Sequence, residues 1–284
     1  MKKIVTFLLL MSILLFSLNV FAQEDINILL IGTDDLGDIK LKGQDEGRAD
    51  AIYLLHMGAQ SDTVKLLSFE RDYLIELSDE LGFNKLATST FFGGADLCLE
   101  KVNGLFDLDV QHYIQINVQS VADAVNVIGG LEIEVLPEDL AIINFQLSAA
   151  GFNSVTAGTV HMNGEQILAF ISARDNNEGL IASNDSRNDR QQRVVKAGLQ
   201  KLHSLSFDEI IMVIEETLSY VKTNISLSDL LSIAKQFIDS SFNSFAYDKS
   251  PLTVYDRLRV GVHQVVKVKN QQLENEKIKM FLEE

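Results

Sequence analysis

The chain is poor in three residue types, with one cysteine, two prolines and no tryptophan in 284 residues. A single thiol, Cys98, excludes an internal disulfide framework and a cysteine-cluster zinc site. The five histidines are scattered, none four residues from another, so no histidine metal cage is indicated. Cations are also scarce: 24 Lys+Arg stand against 40 Asp+Glu, a formal charge of -16. A surface this acidic repels phosphate backbones, and no lysine-rich stripe offsets it, so nucleic acid is excluded as a partner. There is no P-loop, dinucleotide fingerprint or Gly-x-Ser-x-Gly elbow. Against these absences stands an apolar content of 46%. It runs through nearly the whole chain, which rules out low-complexity disorder and allows a sizeable core in one or two domains.

The first residues have the layout of a targeting segment. Lys2 and Lys3 precede an apolar run from Ile4 to Leu18, and Val20-Phe21-Ala22 supplies small residues before Gln23. A basic end, a short apolar core and a small-residue exit read as a signal peptide over 1–22. An uncleaved N-terminal anchor is the rival. Both send residues 23–284 outside the cytoplasm. Cleavage would take the formal charge from -16 to -18.

Short apolar runs at 26–31, 51–56 and 64–69, separated by turn residues, predict three neighbouring strands. Helical spacing follows at 95–106, with Gly93-Gly94 as a turn before it. A strand at 113–118, a helix at 119–128 and a strand at 131–135 come next, with Gly129-Gly130 as a helix stop. The stretch from Pro137 to Thr159 is poorly patterned and predicts irregular structure. Asn163 caps a helix over 164–171. Residues 176–188 read as a polar loop, and Arg187 opens a long amphipathic helix to about Ser204. Helices near 207–221 and 227–238, a strand near 262–268 and a helix from Gln271 close the chain. Alternating strands and helices predict an α/β fold with helices on both faces of a sheet.

Arginine is the informative residue type. Only eight occur, and four of them (Arg174, Arg187, Arg190 and Arg193) fall within twenty residues. Arg187, Arg190, Gln191 and Val194 share one helix face. At the start of a helix the dipole adds to their field, and arginine forks match phosphate oxygens. A solvated charged face paired with Asp185 and Asp189 explains the same spacing. Acids at strand ends are the second signal. Asp34 follows the first strand, Asp50 precedes the second, and Arg71-Asp72 follows the third. Two such carboxylates suit magnesium (Mg²⁺), which keeps waters and takes phosphate oxygens as further ligands. Turn and capping roles for Asp34 and Asp50 account for them equally well. Cys98, between Leu97 and Leu99, reads as core filling. His112, beside a strand, reads as structural.

Several segments, in order, carry a family resemblance. They are Asn27-Ile28-Leu29-Leu30-Ile31-Gly32-Thr33-Asp34, Arg48-Ala49-Asp50-Ala51-Ile52 and Leu66-Leu67-Ser68-Phe69-Glu70-Arg71-Asp72. Lys85 with Gly93-Gly94 follows, then Ile128-Gly129-Gly130-Leu131, Met162-Asn163-Gly164-Glu165-Gln166 and Arg187-Asn188-Asp189-Arg190-Gln191. Together they resemble the LytR-CpsA-Psr family of cell-envelope glycopolymer phosphotransferases over nearly all of 26–284. The resemblance implies a single domain over 23–284, folded as a three-layer αβα sandwich with a central mixed β-sheet. It implies an extracytoplasmic, magnesium-dependent transfer of a glycopolymer from a polyprenyl-pyrophosphate carrier to a peptidoglycan or other envelope acceptor, at a membrane surface. By position Asp34 and Asp50 resemble the metal-associated acids. Arg71, Arg174, Arg187 and Gln191 resemble the residues around the pyrophosphate, with Arg190 close by. Asp50, Arg71 and Asp185 are the catalytic candidates, an acid taking the acceptor's proton. The chain departs from the family pattern at Ser172, where an arginine is usual, and at Ala51, Glu70 and Asn184. These departures leave two alternatives, a member that binds polyprenyl-phosphate intermediates without transfer and a polyprenyl-pyrophosphate hydrolase.

Overall fold

The computed structural model describes residues 25–34, 47–59, 61–173, 180–240, 242 and 244–284, with side chains from Ser186 onward in the helix that opens at Leu180. The leader expected over 1–22 lies outside these residues. Among the described residues no helix is long and apolar enough to cross a membrane.

Three strands start the fold: β1 (Ile26–Thr33), β2 (Ala49–Met57) and β3 (Thr63–Phe69). They are antiparallel neighbours, as the apolar runs predict. A hairpin follows, β4 (Leu74–Ser78) and β5 (Gly82–Lys85), then α1 (Ser89–Phe106), whose torsions break at Gly93 and Gly94. Next come β6 (His112–Asn117), α2 (Val118–Val127), β7 (Leu131–Val135), α3 (Leu140–Ala149), β8 (Gly158–Met162) and α4 (Gly164–Ser172). The second half holds α5 (Leu180–His203), α6 (Phe207–Thr217), β9 (Val221–Thr223), α7 (Leu227–Asp239) and β10 (Ser244–Ser250). A hairpin of β11 (Tyr255–Val260) and β12 (His263–Val268) precedes α8 (Gln271–Glu283). The central sheet is six-stranded and mixed, in the order β10-β3-β2-β1-β6-β9. β10 runs parallel to β3 and β6 runs parallel to β1, and the other pairs are antiparallel.

β1 is apolar on both faces because both are covered, as a strand in the middle of a layered sheet must be. Leu29 and Ile31 face a core completed by Ala95, Cys98, Val102 and Phe106 of α1 and Ile278 of α8. Ile26, Ile28 and Leu30 face the other way, toward Leu199 of α5 and Leu230, Ile233 and Phe237 of α7. The architecture is thus a three-layer αβα sandwich. A third apolar cluster joins α2, β7, α3, β8 and α4 to Val194 and Ala197 of α5. Gly164 is required there: a Cβ would collide with the backbone of Ala122, where α4 crosses α2. A capping box between Asn163 and Gln166 starts α4 at that crossing.

Three expectations are corrected. The stretch over 137–159 is not irregular: it holds α3 and the start of β8. α3 (LAIINFQLSA) scatters its polar residues Asn144, Gln146 and Ser148 over two faces, so it lacks the single polar stripe that marks a surface helix. α5 begins at Leu180 rather than Arg187, so the residues from 180 are helix and not loop. β4, β5, β9, β10 and β11 appear where no strand was predicted; β4, β5 and β9 are short, and β10, half-buried, and β11, exposed throughout, lack a clean alternation.

Glu274 of α8 is fully buried and ties the loop after β10 to the sheet. It accepts from Ser250 Oγ (2.6 Å), Leu252 N (2.8 Å), Thr253 N (2.9 Å) and Thr253 Oγ1 (2.6 Å). Removing the carboxylate strands all four donors. Glu274→Ala is expected to cost about 3–5 kcal/mol. A lower urea midpoint at unchanged slope would register it, and a midpoint equal to wild type would refute it.

His56 offers a pH test. Its Nδ1 lies 2.8 Å from Asn27 Oδ1. Burial lowers its proton affinity, Lys65 adds to this, and Asp25 opposes it. The unfolded chain therefore binds this proton more readily. The contribution is complete above the ordinary histidine range, and stability is lost as pH falls through that range toward the depressed folded value. His56→Gln should flatten that part of the stability profile, whereas an unchanged slope would assign it elsewhere.

Candidate active site

The site forms where β1 and β3 end and β2 begins. The pairing of β1 with β2 shifts register between Gly32 and Thr33: Gly32 pairs with Ala51, and Thr33 with Ala49. Asp50 is the extra residue of this β-bulge. Strict alternation would put it on the side of Ile52 and Leu54, in the core beneath α1. The bulge re-aims it, and Asp50 instead lines a cavity on the α5 side with Ala51 and Tyr53.

That cavity is about 400 Å³, within the size range of small-molecule sites. Its walls are Leu30 and Ile31 of β1, Ile114 and Ile116 of β6, Val118 and Val121 of α2, Ile171 of α4, and Val194 and Val195 of α5. The polar members Asp50, Arg187 and Gln191 also line an adjoining polar cleft with Glu70, Arg71 and Asn188. Tyr53 is shared by both, and burial keeps its phenol protonated.

Two arginines meet Asp50 from different elements. Arg71, just after β3, donates from Nη1 to Asp50 Oδ1. Arg187, in α5, brings its Nη1 to 3.6 Å from Asp50 Oδ2, and its side chain is only 4% exposed. The solvated-face reading of Arg187 therefore fails. Lys85 pairs with Asp72 at 2.8 Å, which braces the segment next to Arg71. Gln191 stands one turn beyond Arg187, with a buried amide oxygen that has no partner among the described residues. The dipole argument for this face is corrected: Arg187 lies two turns inside α5, and the dipole field fades within the first turn.

The remaining predicted residues are distributed as follows. Asp34 accepts the Arg48 N–H at 2.5 Å and donates its own N–H to the Arg48 carbonyl at 3.0 Å. A Cβ on Gly47 would collide with the Asp34 carbonyl. Asp34 thus closes the β1–β2 connection and is not among the residues lining the cavity. Arg190 is 1% exposed and does not line the cavity either. Its guanidinium is taken up by Asp139 and by the carbonyls of Phe170 and Ala173. Burial draws its proton affinity down, and Asp139 opposes this. Arg174 lies outside the described residues, as does the side chain of Asp185. Ser172, where the family resemblance expects an arginine, lines the cavity. Cys98 is buried core, its thiol pushed up to about 12 by burial.

No group of three metal-ligating side chains occurs among the described residues, so a protein-only cage does not fit. Of the two carboxylates read for magnesium, Asp50 lines the cavity and pairs with Arg71 and Arg187, while Asp34 stands at the adjoining end of β1, engaged by the Arg48 N–H; magnesium takes one or two carboxylates and completes its shell with water and phosphate oxygens. Sequence reasoning missed Tyr53, Asn188 and Asp139. Tyr53 was hidden inside an apolar run. Asp139 carried one faint signal, two arginines three residues apart that need a counter-charge.

The arrangement suits an amphiphile: an apolar tail in the cavity and an anionic head between Arg71 and Arg187. Comparison with known proteins finds related chains. TagU of Bacillus mycoides (strain KBAB4), named a polyisoprenyl-teichoic acid–peptidoglycan teichoic acid transferase, is 26% identical over 223 residues, covering 78% of this chain and 67% of its own length. TagT of Bacillus subtilis (strain 168), named for the same reaction, is 28% identical over 242 residues, 82% of this chain and 71% of its own. The solved structure of TagT bound to LI-WTA superposes with a TM-score of 0.70 at 22% identity, over 92% of this chain and 90% of that one. The model of the LytR_cpsA_psr family matches residues 12–280, and the chain belongs to that family.

Proposed function

We propose that this protein is an extracytoplasmic phosphotransferase that moves a glycopolymer from a polyprenyl-pyrophosphate carrier to a peptidoglycan or other envelope hydroxyl. The observation that carries this reading is the apolar cavity opening onto Asp50 held between Arg71 and Arg187. The names of TagU and TagT support the class of donor and acceptor. The leader-like segment supports the location.

In this reading the prenyl tail fills the cavity and the pyrophosphate meets Arg71 and Arg187. Arg187 is already desolvated, so its charge acts at nearly full strength on the phosphate oxygens. The arginines turn from Asp50 to the phosphates as the head group enters. The acceptor hydroxyl attacks the phosphorus next to the sugar. A new oxygen–phosphorus bond forms, the bridging bond breaks, and polyprenyl phosphate leaves. The hydroxyl proton passes to an acid, Asp50 or Asp185. Asp34 and Asp50 would hold Mg²⁺, which when bound neutralises phosphate charge.

A specific observation favours a second reading. Ser172 stands at the cavity where the family resemblance expects an arginine, and Glu70 adds a carboxylate to the polar cleft. A site with one cation fewer and one acid more would hold prenyl phosphates and transfer little. Lipid that copurifies without metal-dependent turnover would favour it.

Three outcomes test the main reading. Cleavage of a glycosylated polyprenyl pyrophosphate, followed by mass spectrometry, should require Mg²⁺ and stop with chelator. Arg71→Ala should slow it about 10–100-fold, the loss of one charge-assisted contact, with little change in melting temperature; unchanged turnover would remove Arg71 from the site. Ile116→Trp should fill the cavity and abolish binding of the prenylated donor while inorganic pyrophosphate still binds. Equal loss of both ligands would contradict the division into tail and head.

A further inference from the structure

Arg190 and Arg193 stand beside the site on α5 without lining it. Both converge on Asp139, in the turn before α3, whose side chain is 8% exposed. Asp139 Oδ1 accepts from Arg190 Nη1 at 3.0 Å, and Oδ2 accepts from Arg193 Nη2. The other donors of the pair go to main-chain carbonyls. Arg190 Nε reaches Phe170 at 3.0 Å, Nη2 reaches Ala173, and Arg193 Nη1 reaches Glu134 at 2.7 Å. One carboxylate and two guanidiniums therefore join β7, the end of α4 and α5.

Stability alone does not explain such a cluster. A buried ion triad is commonly no more stabilising than apolar side chains of similar volume, and its best-attested use is to fix register. Here the register matters. Arg187 and Gln191 flank Arg190 in sequence on α5. Ala173, whose carbonyl Arg190 holds, follows the cavity residue Ser172 and precedes Arg174. The same guanidinium thus ties the helix that carries Arg187 and Gln191 to the end of α4, which carries the cavity residue Ser172. A slip of one residue along α5 is about 1.5 Å, enough to spoil the relation of Arg187 to Asp50.

We propose that Asp139 is a positioning residue for the anion clamp: by orienting Arg190 and Arg193 it sets Arg187 and Gln191 of α5 against the end of α4. The inference rests on the pyrophosphate reading of the site, and its test separates the two.

Binding of farnesyl pyrophosphate and of farnesol, the same tail without phosphates, is measured by calorimetry on the full chain. The wild type should prefer the pyrophosphate. Asp139→Asn should weaken pyrophosphate binding about tenfold and leave farnesol within about twofold. A purely structural role would weaken both ligands together. Should Asp139→Asn fail to fold, Arg193→Lys keeps Asp139 paired with Arg190 and should show the same head-specific loss at about two- to threefold. Loss of both ligands in Arg193→Lys overturns the positioning role. Variants that keep the wild-type preference overturn the role of Asp139 alone. A wild type that binds both ligands equally overturns the pyrophosphate reading, and this inference with it.

Discussion

Asp50 held between Arg71 and Arg187 is the interaction on which the rest of the site depends. The arginines come from the end of a strand and from a helix packed on the sheet, and nothing else named at the cavity brings them to one point. Without the carboxylate, two guanidiniums would face each other across a partly buried gap, at a cost in repulsion and lost hydration. The β-bulge at Gly32–Thr33 is therefore a device rather than an irregularity. It turns one acid out of the core beneath α1 and onto the other side of the sheet, where it holds both cations.

The acidic balance of the chain gives this cluster its meaning. With a formal charge of -16 the average field repels anions, and an anionic ligand needs a local reversal of sign. Arg71 and Arg187 place positive charge beside apolar walls, with Asp50 and Glu70 as counter-charges, where charges are screened less than at the surface. The apolar space and the cations are separately unremarkable features of α/β proteins. In the proposed reading, their continuity is what a ligand apolar at one end and anionic at the other would use.

Much of this was legible in the residues. The short runs at 26–31, 51–56 and 64–69 read as neighbouring strands because strands buried on both faces need no alternation. The helical face of Arg187, Gln191 and Val194 read correctly as a unit, since all three line the cavity. Periodicity names a face but not its neighbours, however. It grouped Arg190 with Arg187, although Arg190 turns to Asp139, fifty-one residues away in the chain. The direction of Asp50 was illegible because a bulge cancels the alternation from which direction is read. α3 was illegible because its polar residues fall on two faces and leave no single stripe to detect.

The position of α5 bears on how the site discriminates among anions. An arginine at a helix start would draw on the helix dipole and on free main-chain N–H groups, a general anion site. Arg187 lies two turns in, where those N–H groups are already bonded within the helix. What remains is the guanidinium fork, supported by the ion cluster behind it. A fork presents its donors in a fixed plane and rewards ligands whose oxygens match that spacing. The long start of α5 thus exchanges a diffuse attraction for a directional one. In the proposed reading, for a protein whose surface repels anions, that suits a ligand delivered by its apolar tail and recognised by the geometry of its head.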